Sequence, residues 1–315
     1  MRLLLAALVL IGGLWMAEKA LAEPWRRVLE DGFEGSEFAS EGGLYYRNNF
    51  EQSAGKAEFQ SRVVRTGQGA LRLSVRPLCP SPGEDCSERA EIWEQTKLWV
   101  PYDQGIWHGF AVKFEDPIPR DDNRYVIAQW KRQILPGAVG DYSPFLAIRM
   151  YRGKLFMTVE TDLLKGEDAM SGGCPEGAAR VWLRPDVSQT RALIAADATF
   201  DSKDGELFAS CSSEIVVIPR GNALPPPQSG WIDFAVYTKP GPDGSGQIEV
   251  FANDKWVASV NGKIGHADAK GLGDRQYFKF GPYRGGGEGE WALYYDDFRR
   301  SPNCRDVLSN GVCPF

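Results

Sequence analysis

The chain has 315 residues, with 36 lysines and arginines against 42 aspartates and glutamates and a net charge of -6. That balance excludes a general nucleic-acid binder but permits an anionic substrate, provided the positive groups are gathered in one place. Two histidines, His108 and His266, and six cysteines with no Cys-x-x-Cys unit argue against a zinc centre.

Met1 to Ala22 reads as a secretory signal: Arg2, an apolar run from Leu3 to Ala17, then the small-residue end Ala20, Leu21, Ala22. The run is too short to cross a bilayer, which takes roughly 20 apolar residues. Residues 23–315 are therefore expected as one secreted or periplasmic domain, a monomer without membrane anchoring. In that oxidising setting the cysteines fall into three local couples, Cys79 with Cys86, Cys174 with Cys211 and Cys304 with Cys313. Six cysteines permit 15 pairings, and neighbours closing loops is the simplest.

Short apolar alternations separated by Gly, Pro, Asp and Asn predict strands at 57–64, 70–75, 89–100, 106–114, 125–132, 145–151, 155–160, 231–237, 247–252, 255–260, 277–283 and 291–299. A tight turn is expected at Asn253 and Asp254. No amphipathic helix of ordinary length intervenes, which describes an all-β sandwich. Leu163 to Gly230, with a cysteine couple and the prolines 225–227, reads as a stapled excursion over one end of the sandwich, either decoration or one wall of a groove.

Three strands carry polar groups on one face and apolar groups on the other. SERAEIWEQ sets Arg89, Glu91 and Trp93 opposite Ala90 and Ile92. YVIAQWKRQ sets Gln129 and Lys131 opposite Ala128 and Trp130. YFKFGPYR sets Tyr277, Lys279, Gly281 and Tyr283 opposite Phe278, Phe280 and Pro282. Side by side they would form a largely cationic floor.

ERAEI, AQWK and YFKFGPYR, in that order, resemble the signature strands of the jelly-roll polysaccharide lyases, the group of alginate, glucuronan and heparin lyase I-like enzymes. RTGQGALRLSVRP, WIDFAVYTKPGPDGSGQIEVFANDKWV and WALYYDDF extend the likeness over most of the chain. The resemblance implies a concanavalin-like β-jelly roll of two antiparallel sheets that cuts an anionic, uronate-containing polysaccharide by β-elimination. One departure stands out: where the family has a histidine two residues after Gln129, this chain has Lys131.

In that chemistry the C5 proton of a uronate leaves and the C4–O bond breaks. Abstraction adds negative charge beside a carboxylate, so a neutraliser is needed. Arg89 can fork onto the carboxylate and Gln129 can donate to the developing enediolate. Tyr283 is the expected base and acid, with Lys131 as the alternative base. Lys279, Glu91, Trp93, Tyr277 and Arg284 are expected around the substrate, Glu91 chiefly as a salt-bridge partner and Trp93 as a stacking platform. A non-catalytic carbohydrate-binding protein on the same scaffold is the rival reading. A retaining glycosidase using Glu91 and Glu94 is weaker, because an offset of three places them on opposite sides of a strand. His108 reads as a satisfied strand residue and His266 as a solvated loop residue. No cofactor is expected, and a structural calcium at Asp296 and Asp297 is the one metal reading left open.

Overall fold

The computed structural model describes residues 23–79, 86–168 and 173–314, so the signal-peptide reading falls outside the described residues. Among these, regular structure consists of strands and short 3-10 turns. In chain order the strands begin with β1 (Leu29–Asp31), β2 (Leu44–Tyr46), β3 (Gly55–Gln60), β4 (Ala70–Val75), β5 (Glu88–Arg89), β6 (Ile92–Glu94) and β7 (Val100–Pro101). There follow β8 (Ile106–Phe114), β9 (Tyr125–Ile134), β10 (Leu146–Tyr151), β11 (Lys154–Asp162), β12 (Glu167–Asp168), β13 (Ala178–Arg184) and β14 (Gln189–Ala196). The last are β15 (Ser210–Pro219), β16 (Trp231–Lys239), β17 (Gly241–Ala252), β18 (Lys255–Ile264), β19 (Leu272–Arg284) and β20 (Trp291–Ser301).

Antiparallel pairing sorts them into two layers. The front layer runs β6, β19, β9, β10, β11, β14, β13, with β2 outside β6 and with β5 and β7 on the same edge of β19. The back layer runs β3, β4, β20, β8, β16, β17, β18, with β1 on β20. β15 belongs to both, since Ser210 to Ser212 pair with β13 while Ile215 to Pro219 pair with β18. The sandwich is thus a jelly roll whose two sheets join along one edge.

The core lies between the layers. Trp130 of β9 and Phe278 and Phe280 of β19 pack against Phe110 of β8 and Tyr295 and Phe298 of β20, all in one buried cluster. Each side chain of this size contributes about 1.5–3 kcal/mol by leaving water. The alternation predicted for 106–114 coincides with β8, and the Asn253–Asp254 turn joins β17 to β18 with φ of 51° and 59°, the paired left-handed geometry of a two-residue hairpin. All three local disulfides are present, and Cys174–Cys211 ties β15 to the chain entering β13. No helix among the described residues is long and apolar enough to cross a membrane.

Three expectations need correction. The run 89–100 is not one strand: it breaks into β5, β6 and β7, because Ala90 and Glu91 bulge away from the ladder to meet a matching bulge in β19. Residues 163–230 are not an excursion over one end of the sandwich, since β13, β14 and the first part of β15 complete the front layer. His266 is not solvated. It is buried, its Nδ1 pairs with Asp162 at 3.0 Å, and Tyr142 stands edge-on to its ring.

Candidate active site

The site is built where three neighbouring strands lose register at one level. In β19, Gly281 adopts φ +130° and it and Pro282 are skipped in the ladder, so Phe280 faces Ala128 while Tyr283 faces Val126. Ile127 is skipped on β9, and its released carbonyl accepts the Tyr295 hydroxyl at 2.8 Å. Such bulges re-aim side chains. Here they keep Val126, Gln129 and Lys131 on the cavity face of β9 and bring Lys279 and Tyr283 of β19 against them. Only glycine fits at 281, because a Cβ there would lie 2.0 Å from the Ala90 carbonyl oxygen.

The resulting cavity, about 170 Å³, is lined by Arg89, Gln129, Lys131, Lys279 and Tyr283 among others. Five residues drawn from three separate sequence patterns therefore converge. Arg124, Arg149, Arg184 and Arg191 complete a wall that contains seven basic side chains and one acidic one, Asp141. A cavity with that balance carries a positive potential that attracts negative charge.

Glu91 is the hub beneath the floor. Fully buried, it takes Lys279 Nζ at 2.7 Å and a hydrogen bond from Gln129 Nε2, with Arg89 Nη1 at 3.5 Å. Burial pushes its carboxyl up, but Lys279 and Arg89 outweigh that and the net shift is down. Lys279 is shifted down from the usual lysine value, first by burial and then by Lys131 and Arg89, with Glu91 opposing. Arg89 is already engaged, since Glu51 accepts from its Nη2 at 2.8 Å, and its guanidinium lies 4.2 Å from the centre of the Tyr283 ring. Arg124 lies 4.8 Å from the same ring. The Tyr283 hydroxyl accepts and donates no hydrogen bond among the described residues. Lys131 is different from Lys279: no carboxylate lies within ion-pair distance of it among the described residues, and burial lowers its proton affinity, with Glu91 opposing and Arg89 adding to the effect.

Several expected substrate contacts lie elsewhere. Arg284 is fully buried, giving its Nε to Glu88 at 2.5 Å and its Nη2 to the carbonyls of Gly287 and Gly289, so it locks a turn rather than facing the cavity. Tyr277 is buried between Trp93 and Trp99, with ring centres 5.3 and 4.4 Å away. Trp93 is itself covered, with Tyr277 stacked on it and Lys279 and Arg47 at 4.5 and 5.3 Å from its ring, which leaves no free platform for a sugar. Glu91 makes the salt bridges expected of it, to Lys279 and Arg89. Glu94 points the other way, to His108 at 3.2 Å and Arg300 at 2.9 Å in the buried layer, so the two glutamates do not form a pair across a substrate. Asp296 accepts the amides of Arg65, Thr66 and Asp297, and Asp297 accepts the Thr66 hydroxyl.

Arg124, Arg149, Arg184 and Arg191 were not anticipated. Their signal was an arginine alternating with buried or partly buried positions, as in Ala179, Val181 and Leu183 against Arg180, Trp182 and Arg184, within the stretch that seemed least regular.

The sequence profile of a family described as polysaccharide lyase matches residues 26–299. The chain belongs to that family. As a polysaccharide lyase it shares the fold of the endo-β-1,4-glucuronan lyase from the fungus Trichoderma reesei, at 15% identity and a TM-score of 0.56, over 89% of this chain and 97% of that one. Weaker likenesses include the cellulose induced protein Cip1, at 11% identity and a TM-score of 0.44 over 87% and 97% of the two chains. The alginate lyase Aly36B gives 13% and 0.42 over 87% and 96%. No curated protein matches this lyase by sequence.

Proposed function

We propose that this lyase acts outside the cytoplasm on a uronate-containing polysaccharide, cleaving it by β-elimination at the cavity between β9 and β19. The observation that carries the reading is the convergence of an unbonded phenol, Tyr283, with an unpaired ammonium, Lys131, inside a wall of arginines. Three disulfides agree with an oxidising compartment.

A uronate carboxylate entering the cavity meets Lys131 and the arginines, because the charges of Arg89 and Lys279 are already balanced by Glu51 and Glu91. Lys131 thus takes the neutralising role that the sequence pattern gave to Arg89, and Gln129 has one amide hydrogen left after Glu91 to offer the enediolate. Tyr283, whose ring lies beside the guanidiniums of Arg89 and Arg124, takes the C5 proton on its oxygen. The C–H electron pair becomes the C4–C5 double bond, the C4–O bond breaks with its electrons on oxygen, and the same phenol returns the proton to that oxygen. No water is consumed.

Lys131 as the base is a second reading, favoured by its lowered proton affinity and lack of a carboxylate partner. The test is turnover of a panel of glucuronans, alginates and other acidic polymers, followed by absorbance of the unsaturated end. Tyr283→Phe is expected to cut kcat by about 10²–10⁴ while leaving affinity intact. Lys131→Met should instead act mainly through KM. A reversed pattern transfers the base to Lys131; reducing ends without unsaturation, or no product from any acidic polymer, defeats the lyase reading, and unchanged binding without turnover in the unaltered protein leaves a carbohydrate-binding module.

A further inference from the structure

The cavity is not closed. Arg124, Asp141, Arg149, Arg184 and Arg191 line it and also line a larger cleft of about 800 Å³ beside it, so the two are one continuous depression joined by these five residues. Three of the four guanidiniums at the junction share one buried carboxylate. Glu160 accepts from Arg149 and Arg191 at 2.8 Å each and stands 3.6 Å from Arg184. Arg124, exposed, has no ion-pair partner among the described residues. With Asp141 counted, the junction holds four positive groups and two negative ones.

That excess is fixed in place. Arg184 and Arg191 lie 5.1 and 5.2 Å from the centre of the Trp182 ring, and Arg149 is held by Thr158 and Glu160. Burial, with Arg191 beside it, weakens the hold of Arg149 on its proton, and Glu160 opposes this. Further along the cleft the sign changes: Asp204 and Glu206 line it there, with Asp204 tied to Lys154 at 2.5 Å. Positive charge is concentrated at one step beyond the cavity and not along the whole cleft.

We propose that this junction is a second anion site, which binds the carboxylate of the sugar next to the one being cleaved. The protein then selects polysaccharides in which acidic sugars are consecutive over those in which they alternate with neutral ones. The inference rests on the lyase reading for its first sugar but makes a separate demand on the second. A guanidinium fork bonds a carboxylate in two places, and hydrogen bonds between charged groups carry enough free energy to separate the two polymer types by about 10–100-fold in affinity.

The experiment is calorimetry on the Tyr283→Phe protein, which holds substrate without consuming it. Two probes are compared: a hexasaccharide of consecutive uronic acids, and one in which uronic acid alternates with a neutral hexose. The consecutive oligomer is expected to bind about 10–100-fold tighter. In Arg184→Gln/Arg191→Gln on the same background the ratio should fall to within about threefold. Arg124→Gln, at an exposed and unpaired position, should lower the ratio as well, and it supplies the reading if the double variant does not fold. A ratio near one in the parent, a ratio unmoved by the variants, or no binding of the consecutive oligomer overturns the proposal. Turnover of the unaltered protein, measured alongside, separates the two readings. Unsaturated product with a ratio near one removes the second anion site and keeps the lyase; a retained ratio with no product from either polymer does the reverse.

Discussion

Glu91→Gln removes the one carboxylate that balances Lys279. In the unaltered protein the pair is 2.7 Å apart, and both side chains are almost wholly withdrawn from water. Removing one member of such a pair costs about 3–5 kcal/mol, because the remaining charge stays buried. Lysine has an escape, which is to lose its proton. For a lysine with the ordinary value of 10.5, holding the neutral form at pH 7 costs about 5 kcal/mol, at 1.4 kcal/mol per pH unit, so the penalty cannot exceed that. The folded-state pKa of Lys279 is already lowered, to about 7, and loss of Glu91 lowers it again. A base with a depressed folded pKa binds fewer protons folded than unfolded, so stability is lost as pH falls below the unfolded value. The variant and its parent differ in this respect only below about pH 7, where the parent lysine is charged and the variant lysine resists charging. Urea unfolding followed by tryptophan fluorescence should therefore show a deficit of about 2.5–3.5 kcal/mol at pH 6, about 1.4 kcal/mol of it from the resisted charge on Lys279, that shrinks to about 1–2 kcal/mol by pH 8. An equal deficit at the two pH values, or one below about 1 kcal/mol at pH 6, would refute the dependence of Lys279 on Glu91.

Other substitutions test other parts of the same architecture. Lys131→Met relieves a buried charge whose proton affinity is lowered. It should raise Tm by about 2–4 °C in differential scanning calorimetry while raising KM, a rise in stability bought with binding. His108 receives the Trp130 indole N–H at Nδ1 (3.1 Å) and donates from Nε2 to Glu94, so it is neutral and burial holds its pKa down. The His108 contribution to stability should be level above about pH 6.5 and fall below it by up to about 1.4 kcal/mol per unit, and His108→Gln, which can keep both hydrogen bonds, should flatten that limb in urea titrations from pH 4.5 to 7.5. Gly281→Ala forces a Cβ to within 2.0 Å of the Ala90 carbonyl and should cost about 3 kcal/mol by thermal denaturation, with activity falling as β5 is pushed off β19.

Much of this molecule is legible in its sequence because alternation and burial coincide. In β8 the alternate residues Phe110, Val112 and Phe114 face the core, and the register shift in its pairing with β20 inserts its extra residue on the β20 side, so the limits of β8 could be read to the residue. Gln129 and Lys131 are apart from Ala128 and Trp130 for the same reason. The pattern failed where the ladder itself departs from a two-residue period. Nothing local announces that Ala90, Ile127 and Gly281 lose register together, because each bulge is stabilised by its partners rather than by its own neighbours in the chain. Periodicity also gives a face without saying what covers it. Tyr277 and Trp93 are on the expected side but cover one another, and Arg284, at the end of the same run, is claimed by Glu88, far away in sequence. The arginine wall stayed hidden for a further reason: β13 and β14 have charged and aromatic groups on one face and small ones on the other, a mixture that also describes a solvated loop.

The junction between cavity and cleft divides labour along the chain. Groups assigned to bond breaking stand on β9 and β19, whereas those assigned to grip the neighbouring sugar stand mainly on β10, β13 and β14, the last two lying within a stretch pinned by Cys174–Cys211. Under the proposal, exchange of that stretch is expected to alter which polymer is accepted while leaving Gln129, Lys131, Lys279 and Tyr283 in place. A lineage carrying this scaffold can thus change its diet by rewriting one contiguous cassette, without having to reinvent its chemistry.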